Sequence, residues 1–152
     1  MIKIRKFRKG DERKLSYLSR KCTVLINSKD MTKKQTEVLY KHFTPGQFVK
    51  DAKRFNIYVA EFSGKVVGTA TLDITLDDNW VRAVFVNPSY HGKSIGKELM
   101  KRVENDAKKM GFRSLFLNSS PFAVNFYIKL GYKKIKEILG EVGLMTVMKK
   151  SL

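Results

Sequence analysis

The chain has 152 residues and 43% hydrophobic residues, enough for one compact domain with a real core, so wholesale disorder is excluded. Its 31 Lys+Arg against 14 Asp+Glu leave a formal charge of +17, which favours anionic partners and says nothing about fold. Apolar runs are too short for a membrane span, and the start "MIKIRKFRKGDERK" lacks the continuous apolar stretch of a secretory signal.

Cys22 is the single cysteine, so no internal disulfide forms and a reducing cytoplasm is expected. It shares a helical face with Leu15 and Leu18 and reads as buried filler. The positive charge is spread along the chain without a basic tail, zinc-finger spacing or an RNP-type aromatic motif, so nucleic-acid binding is expected to be at most non-specific. No His/Cys/Asp/Glu cluster has metal-ligand spacing, and no metal is expected.

In chain order, "IKIRKF" (2–7) alternates as a half-buried strand does. Asp11 starts a helical pattern with Leu15, Leu18, Cys22 and Leu25 or Ile26 on one face, and "NSKDM" breaks it. Thr32 with Gln35, and Thr44 with Gln47, fit capping boxes and predict helices over 33–43 and 45–54, the second with Pro45 at its first position. "NIYVAEF" and "KVVGTATLDI" read as a hairpin around Ser63-Gly64, and "WVRAVFV" (80–86) follows as another strand.

Next comes the basic loop "NPSYHGKSIGKELM", and then a long helix with Ile95, Leu99, Val103, Ala107 and Met110 on one side, closed by Gly111. "SLFLN" (114–118) is a short strand. "PFAVNFYIKL" is a short helix ending at Gly131, with Ser120, Ala123 and Tyr127 on one face and Phe122, Phe126 and Leu130 on a face expected to be core. "YKKIKEIL" and "GLMTVMKK" close the chain as two strands. The order predicts a mixed α/β domain over 1–152 whose crossover helix makes strands 80–86 and 114–118 parallel neighbours.

The loop 91–96 suits a diphosphate. Amides at a helix start lack partners, the helix dipole adds positive potential, and Gly92 and Gly96 clear space for a close approach. Lys93 and Lys97 add charge, and Ser94 keeps its amide and adds a small hydroxyl for a cap or a phosphate oxygen. Neither the Walker spacing nor the dinucleotide G-x-G-x-x-G occurs.

The motifs "VFVNPSYHGKSIGKELM" and "SSPFAVNFYIKLGYKK", in this order and with this spacing, resemble those of the GCN5-related N-acetyltransferase (GNAT) family. The match runs through Val86 and Pro88, His91-x-x-Ser94-x-Gly96, then Ala123, Phe126, Tyr127, Lys129, Gly131 and Tyr132. The resemblance implies the single-domain acyl-CoA N-acyltransferase fold. Its mixed, mostly antiparallel (α+β) sheet has a splayed central parallel pair, with helices on both faces. It implies acetyl-CoA as donor and an amine, on a protein or a small molecule, as acceptor.

On the same resemblance Val84, Phe85 and Val86 lie along the pantetheine arm, with the thioester carbonyl polarised by an amide near Val86. Residues His91, Gly92, Lys93, Ser94, Ile95, Gly96 and Lys97 take the diphosphate, while Asn118, Ser120, Ala123 and Tyr127 complete the cofactor site. Tyr127 corresponds to the tyrosine that protonates the leaving thiolate. The chain departs from the pattern at His91 (Gln or Arg), Ser94 (Gly) and Ser120 (Asn). For the base, Asp73 is the first choice, before Asp77, Asp78, Glu61 and His42. A homodimer is compatible with the family. The competing readings are a nucleic-acid-associated protein and an acyl-CoA sensor, each on this scaffold without turnover.

Overall fold

The structure, a computed structural model, describes residues 1–75 and 79–152. Asp77 and Asp78 lie outside the described residues. Seven strands form one sheet in the order β1-β2-β3-β4-β5-β7-β6. They are β1 (Ile2–Lys6), β2 (Asn56–Phe62), β3 (Lys65–Asp73), β4 (Trp80–Val86), β5 (Ser114–Ser119), β6 (Lys133–Gly140) and β7 (Gly143–Ser151). The helices are α1 (Glu12–Leu25), α2 (Lys33–His42), α3 (Pro45–Ala52), α4 (Ile95–Lys109) and α5 (Val124–Lys129). Among the described residues no helix is long and apolar enough to cross a membrane.

Local chemistry places most of these ends. Thr32 and Gln35 form a full capping box at α2. At α3 only half of the expected box exists: the Thr44 hydroxyl accepts from the Gln47 amide, but the Gln47 side chain donates to Asp51 at 2.9 Å. Asp11, expected simply to start α1, makes no capping bond; its carboxylate takes two hydrogen bonds from Arg5, at 2.8 and 2.9 Å, and ties β1 to the helix. Ser63 and Gly64 both have positive φ, the twist that a two-residue hairpin turn requires.

Two apolar clusters lie on opposite faces of the sheet. On one face Leu99, Met100, Val103 and Ala107 of α4 pack with Val67, Leu72, Val81 and Leu115. Gly68 permits this approach, because a Cβ there would meet Leu99 Cδ1 at 3.0 Å and Ile95 Cγ2 at 3.2 Å. On the other face Leu15, Leu18 and Cys22 of α1 pack with Phe43, Phe48, Ile57 and Val59.

The β4 and β5 pair is parallel, as its crossover helix predicts, but short. Only Trp80↔Phe116 and Val81↔Leu117 are in register. One extra residue in β4 shifts its pairing with β3 between Thr69 and Thr71, and Ala83 there has a φ of 51°. Beyond this bulge β4 pairs with β3 but not with β5, so the backbone edge of Val84–Val86 that faces β5 has no strand partner.

Candidate active site

The gap left by the splayed strands is a cleft of about 420 Å³. Of the residues expected to hold a cofactor, Val84, Phe85, Val86, His91, Gly92, Ser94, Ile95, Gly96, Lys97, Ser120, Ala123 and Tyr127 line it. Lys93 does not; its ammonium lies 5.7 Å from the centre of the Phe62 ring. Asn118 also lies outside the wall, exposed on β5 opposite Val147. Cys22, Ile26, Asn27, Tyr90, Phe122 and Phe126 line the cleft without having been expected there.

The mouth of the cleft is a run of free donors. Among the described residues, no amide from Gly92 to Lys97 donates to a protein group; the first intrahelical bond of α4 runs from Glu98 N–H to Ser94 O at 3.0 Å. Such a nest at the N-terminus of a 15-residue helix has the donors and the positive dipole end that an anion requires. Gly92 has a φ of 80° and Ser94 a φ of 64°, so both sit in the left-handed region. The Ser94 hydroxyl makes no capping bond and is exposed, which leaves it available to a ligand oxygen.

Gly96 serves a different purpose from the expected clearance for a ligand. A Cβ there would meet Phe126 ring carbons at 3.0 and 3.2 Å, so the glycine lets α5 pack against the start of α4. His91 also has a structural task. Its Nε2 lies 3.0 Å from the Val86 carbonyl oxygen, and because a carbonyl only accepts, that nitrogen carries the proton. The same oxygen accepts from the Cys22 thiol at 3.3 Å. Burial pushes the Cys22 pKa up to about 12, so the thiol is a poor nucleophile and a packing residue at the cleft wall.

Ser120, Ala123 and Tyr127 share the cleft wall as one face, and Phe126 and Leu130 pack against the core, but Phe122 departs from its expected face. Phe122, expected in the core, is 58% exposed and stacks over His91 with 6.1 Å between ring centres. Tyr127 is 6% exposed and lines the cleft. Its hydroxyl has no hydrogen-bond partner among the described residues, and burial raises its pKa well above the ordinary phenol value. Residues 121–123 form a 3-10 turn, which rotates each side chain further than an α-helix does, so the α-helical phase fails there.

Asp73 lies elsewhere. It lines a second cavity of about 510 Å³ between α2–α3 and β3–β4, together with His42, Phe43, Arg54, Arg82 and Ala83. Burial would raise its pKa, but hydrogen bonds from the Thr75 hydroxyl and amide and from Arg82 outweigh that and hold it below the ordinary carboxylate value. The group expected as first-choice base is therefore a saturated carboxylate and a weak proton acceptor. Glu61 bonds Arg5 at 2.9 Å and lines neither cavity. His42 lines the second cavity, and its ring makes no hydrogen bond among the described residues. No group of three or more His, Cys, Asp or Glu that could hold a metal occurs among the described residues.

A family model described as an acetyltransferase (GNAT) domain matches residues 27–152. The chain belongs to the GNAT family. Among curated relatives, this GNAT chain is 32% identical over 79 residues to an "IAA acetyltransferase" of Azospirillum brasilense, which covers 49% of this chain and 52% of that protein. The chain spans about half the length, or less, of the curated relatives it matches. Among solved structures, a GCN5-related N-acetyltransferase from Rhodopseudomonas palustris superposes with a TM-score of 0.88 at 21% identity, covering 99% of this chain and 95% of that one. The PaiA N-acetyltransferase of Thermoplasma acidophilum, solved in complex with coenzyme A, gives 0.88 at 20% identity, covering 100% and 99%. These likenesses establish the GNAT fold over essentially the whole chain.

Proposed function

We propose that the protein is an N-acetyltransferase that moves an acetyl group from acetyl-CoA to a primary amine. The observation that carries this reading is the row of unpartnered amides from Gly92 to Lys97 at the mouth of a cleft walled by the free edge of β4. The residues present fit the donor. A diphosphate needs several converging N–H donors, which the loop offers, and a pantetheine amide needs a free strand edge, which Val84–Val86 offer.

When bound, acetyl-CoA supplies an acetyl thioester, whose carbon–sulfur bond breaks as a carbon–nitrogen bond forms to a neutral amine. Lys97 adds positive charge at the mouth. Unpaired amides of β4 near Val86 stabilise negative charge that develops on the carbonyl oxygen. Tyr127 keeps its proton through the physiological range and presents an unpartnered hydroxyl to the departing sulfur. Complete transfer is uphill, because a thiol pKa of about 8.5 lies below that of the phenol. Tyr127 therefore acts by donating a hydrogen bond to the thiolate.

The amine approaches from the second cavity. Phe43 on its wall meets Phe85 on the cleft wall, and the adjacent Ala83 and Val84 face one cavity each. On that side His42 and solvent take the ammonium proton.

The test is titration calorimetry with acetyl-CoA, followed by release of CoA thiol over a panel of amines and peptides. Micromolar binding and acceptor-dependent thiol release are expected. A melting temperature unmoved by saturating acetyl-CoA, with no thiol released by any acceptor, overturns the reading.

A further inference from the structure

We infer that the second cavity selects an acceptor amine that also carries an anionic group, a carboxylate or a phosphate, and that Arg82 is the residue that reads it. The inference rests on the acetyltransferase reading and adds a substrate class to it.

Arg82 is held as a receptor is held. Its Nε donates to Asp73 Oδ2 at 3.0 Å, and its guanidinium lies 5.9 Å from the centre of the Trp80 ring. The Asp73 side chain is 4% exposed and is itself fixed through Oδ1 by the Thr75 amide at 2.9 Å and hydroxyl at 2.6 Å. Fixing a guanidinium through Nε leaves its two terminal nitrogens as a planar fork. Neither has a protein partner among the described residues, and the side chain is 44% exposed. A preorganised fork of this kind binds carboxylate or phosphate with two parallel hydrogen bonds.

Among the described residues, the other charged groups around the cavity do not cancel this. Both oxygens of Asp73 are engaged. Asp51 Oδ1 accepts from Gln47 at 2.9 Å and from Arg54 at 3.5 Å. Arg54, 61% exposed at its side chain, adds a second guanidinium at the rim, and His42 is the remaining titratable group of the wall. Aromatic walls from Phe43, Phe48 and Phe55 accommodate an apolar spacer between the two ends of such an acceptor. Arg82 and Ala83 line the second cavity and the next residue, Val84, lines the cleft, so the fork lies within a few residues of the donor site along β4.

The experiment compares matched acceptors with the intact protein. Glycine, 4-aminobutyrate and 6-aminohexanoate are each set against the corresponding carboxamide, and O-phosphoethanolamine against ethanolamine. Two readouts are taken: kcat/KM with acetyl-CoA, and the melting-temperature shift produced by each compound in the presence of CoA. At least one acid is expected to exceed its neutral partner by about tenfold or more in kcat/KM and to raise the melting temperature where the partner does not.

The carboxylate and phosphate arms identify which anion is read. Arg82→Gln is expected to bring the preference to about one, and Arg82→Lys to retain part of it. Equal or better use of the neutral member in every pair overturns the inference. So does an Arg82→Gln or Arg82→Lys variant that lowers both members of a pair alike. Normal acetyl-CoA binding together with either result leaves the donor reading intact. Failure of acetyl-CoA itself to bind removes the donor reading, and this inference with it.

Discussion

The rings of Phe43 and Phe85 meet edge to face with 5.0 Å between their centres, Phe43 on the wall of the second cavity and Phe85 on the wall of the donor cleft. The pair forms a wall between the two cavities, since Phe43 is 6% exposed and also stacks on Phe48. Phe43→Ala is expected to cost about 3–5 kcal/mol of stability and to raise KM for the acceptor more than for acetyl-CoA. Denaturant unfolding and steady-state kinetics measure both. An unchanged acceptor KM in a folded variant argues against the second cavity as the acceptor site.

Gly96 leaves room for Phe126, a cleft residue. Gly96→Ala is expected to push that ring into the cleft and weaken acetyl-CoA binding by about tenfold, an overpacking effect. Adding Phe126→Leu restores affinity if the ring is the cause. Calorimetry on the single and double variants decides it.

Ser94 occupies the left-handed region, at φ 64°, with no capping bond in return. Ser94→Gly is expected to stabilise the fold by about 1 kcal/mol and raise Tm by about 2–4 °C. Ser94→Val is expected to lower Tm, because a β-branched residue tolerates this conformation poorly. A Tm that falls in the glycine variant contradicts the strain argument.

Tyr127→Phe keeps the ring and removes the hydroxyl. With the leaving sulfur as its target, kcat is expected to fall about 100-fold while the affinity for acetyl-CoA stays near wild type. Full turnover across the pH range in that variant removes Tyr127 from the reaction.

Asp11 gives a pH dependence of defined sign. Burial alone would raise its pKa, but hydrogen bonds from Arg5 and the Arg8 amide outweigh it and hold the pKa below the ordinary value of 3.8. The stability it contributes is therefore fully present above 3.8 and lost as pH falls through the lower folded-state value. The Asp11 and Arg5 side chains are only 5% and 12% exposed. Asp11→Asn is accordingly expected to cost about 2 kcal/mol at neutral pH, a gap that closes as pH falls below 3.8 and through the lowered folded-state value. Urea unfolding at several pH values measures it; a constant gap contradicts the assignment.

Much of the fold was legible in the residues because the signals are local. Thr32 and Gln35 announce α2, Ser63-Gly64 the hairpin and Gly111 the end of α4, each through contacts within a few residues. The free amides of the loop 92–97 were legible for the same reason, since they follow from its position before a helix. The inner wall was less so. Phe122 left its expected core environment, because a 3-10 turn at 121–123 breaks the α-helical phase on which the assignment rested. Asp73 read as a free carboxylate, and no local pattern signals that Arg82, nine residues on, saturates it.

The sequence by itself determined the order of strands and helices, the parallel crossover and the loop of free amides before α4, since backbone geometry, caps and hydrophobic period act over short separations. Only the tertiary structure decided how far β4 and β5 stay paired, which glycine clears which ring, and which groups face the two cavities. Those depend on contacts such as Cys22 with Val86, or Gly96 with Phe126, between residues far apart in the chain and joined only when both faces of the sheet are packed.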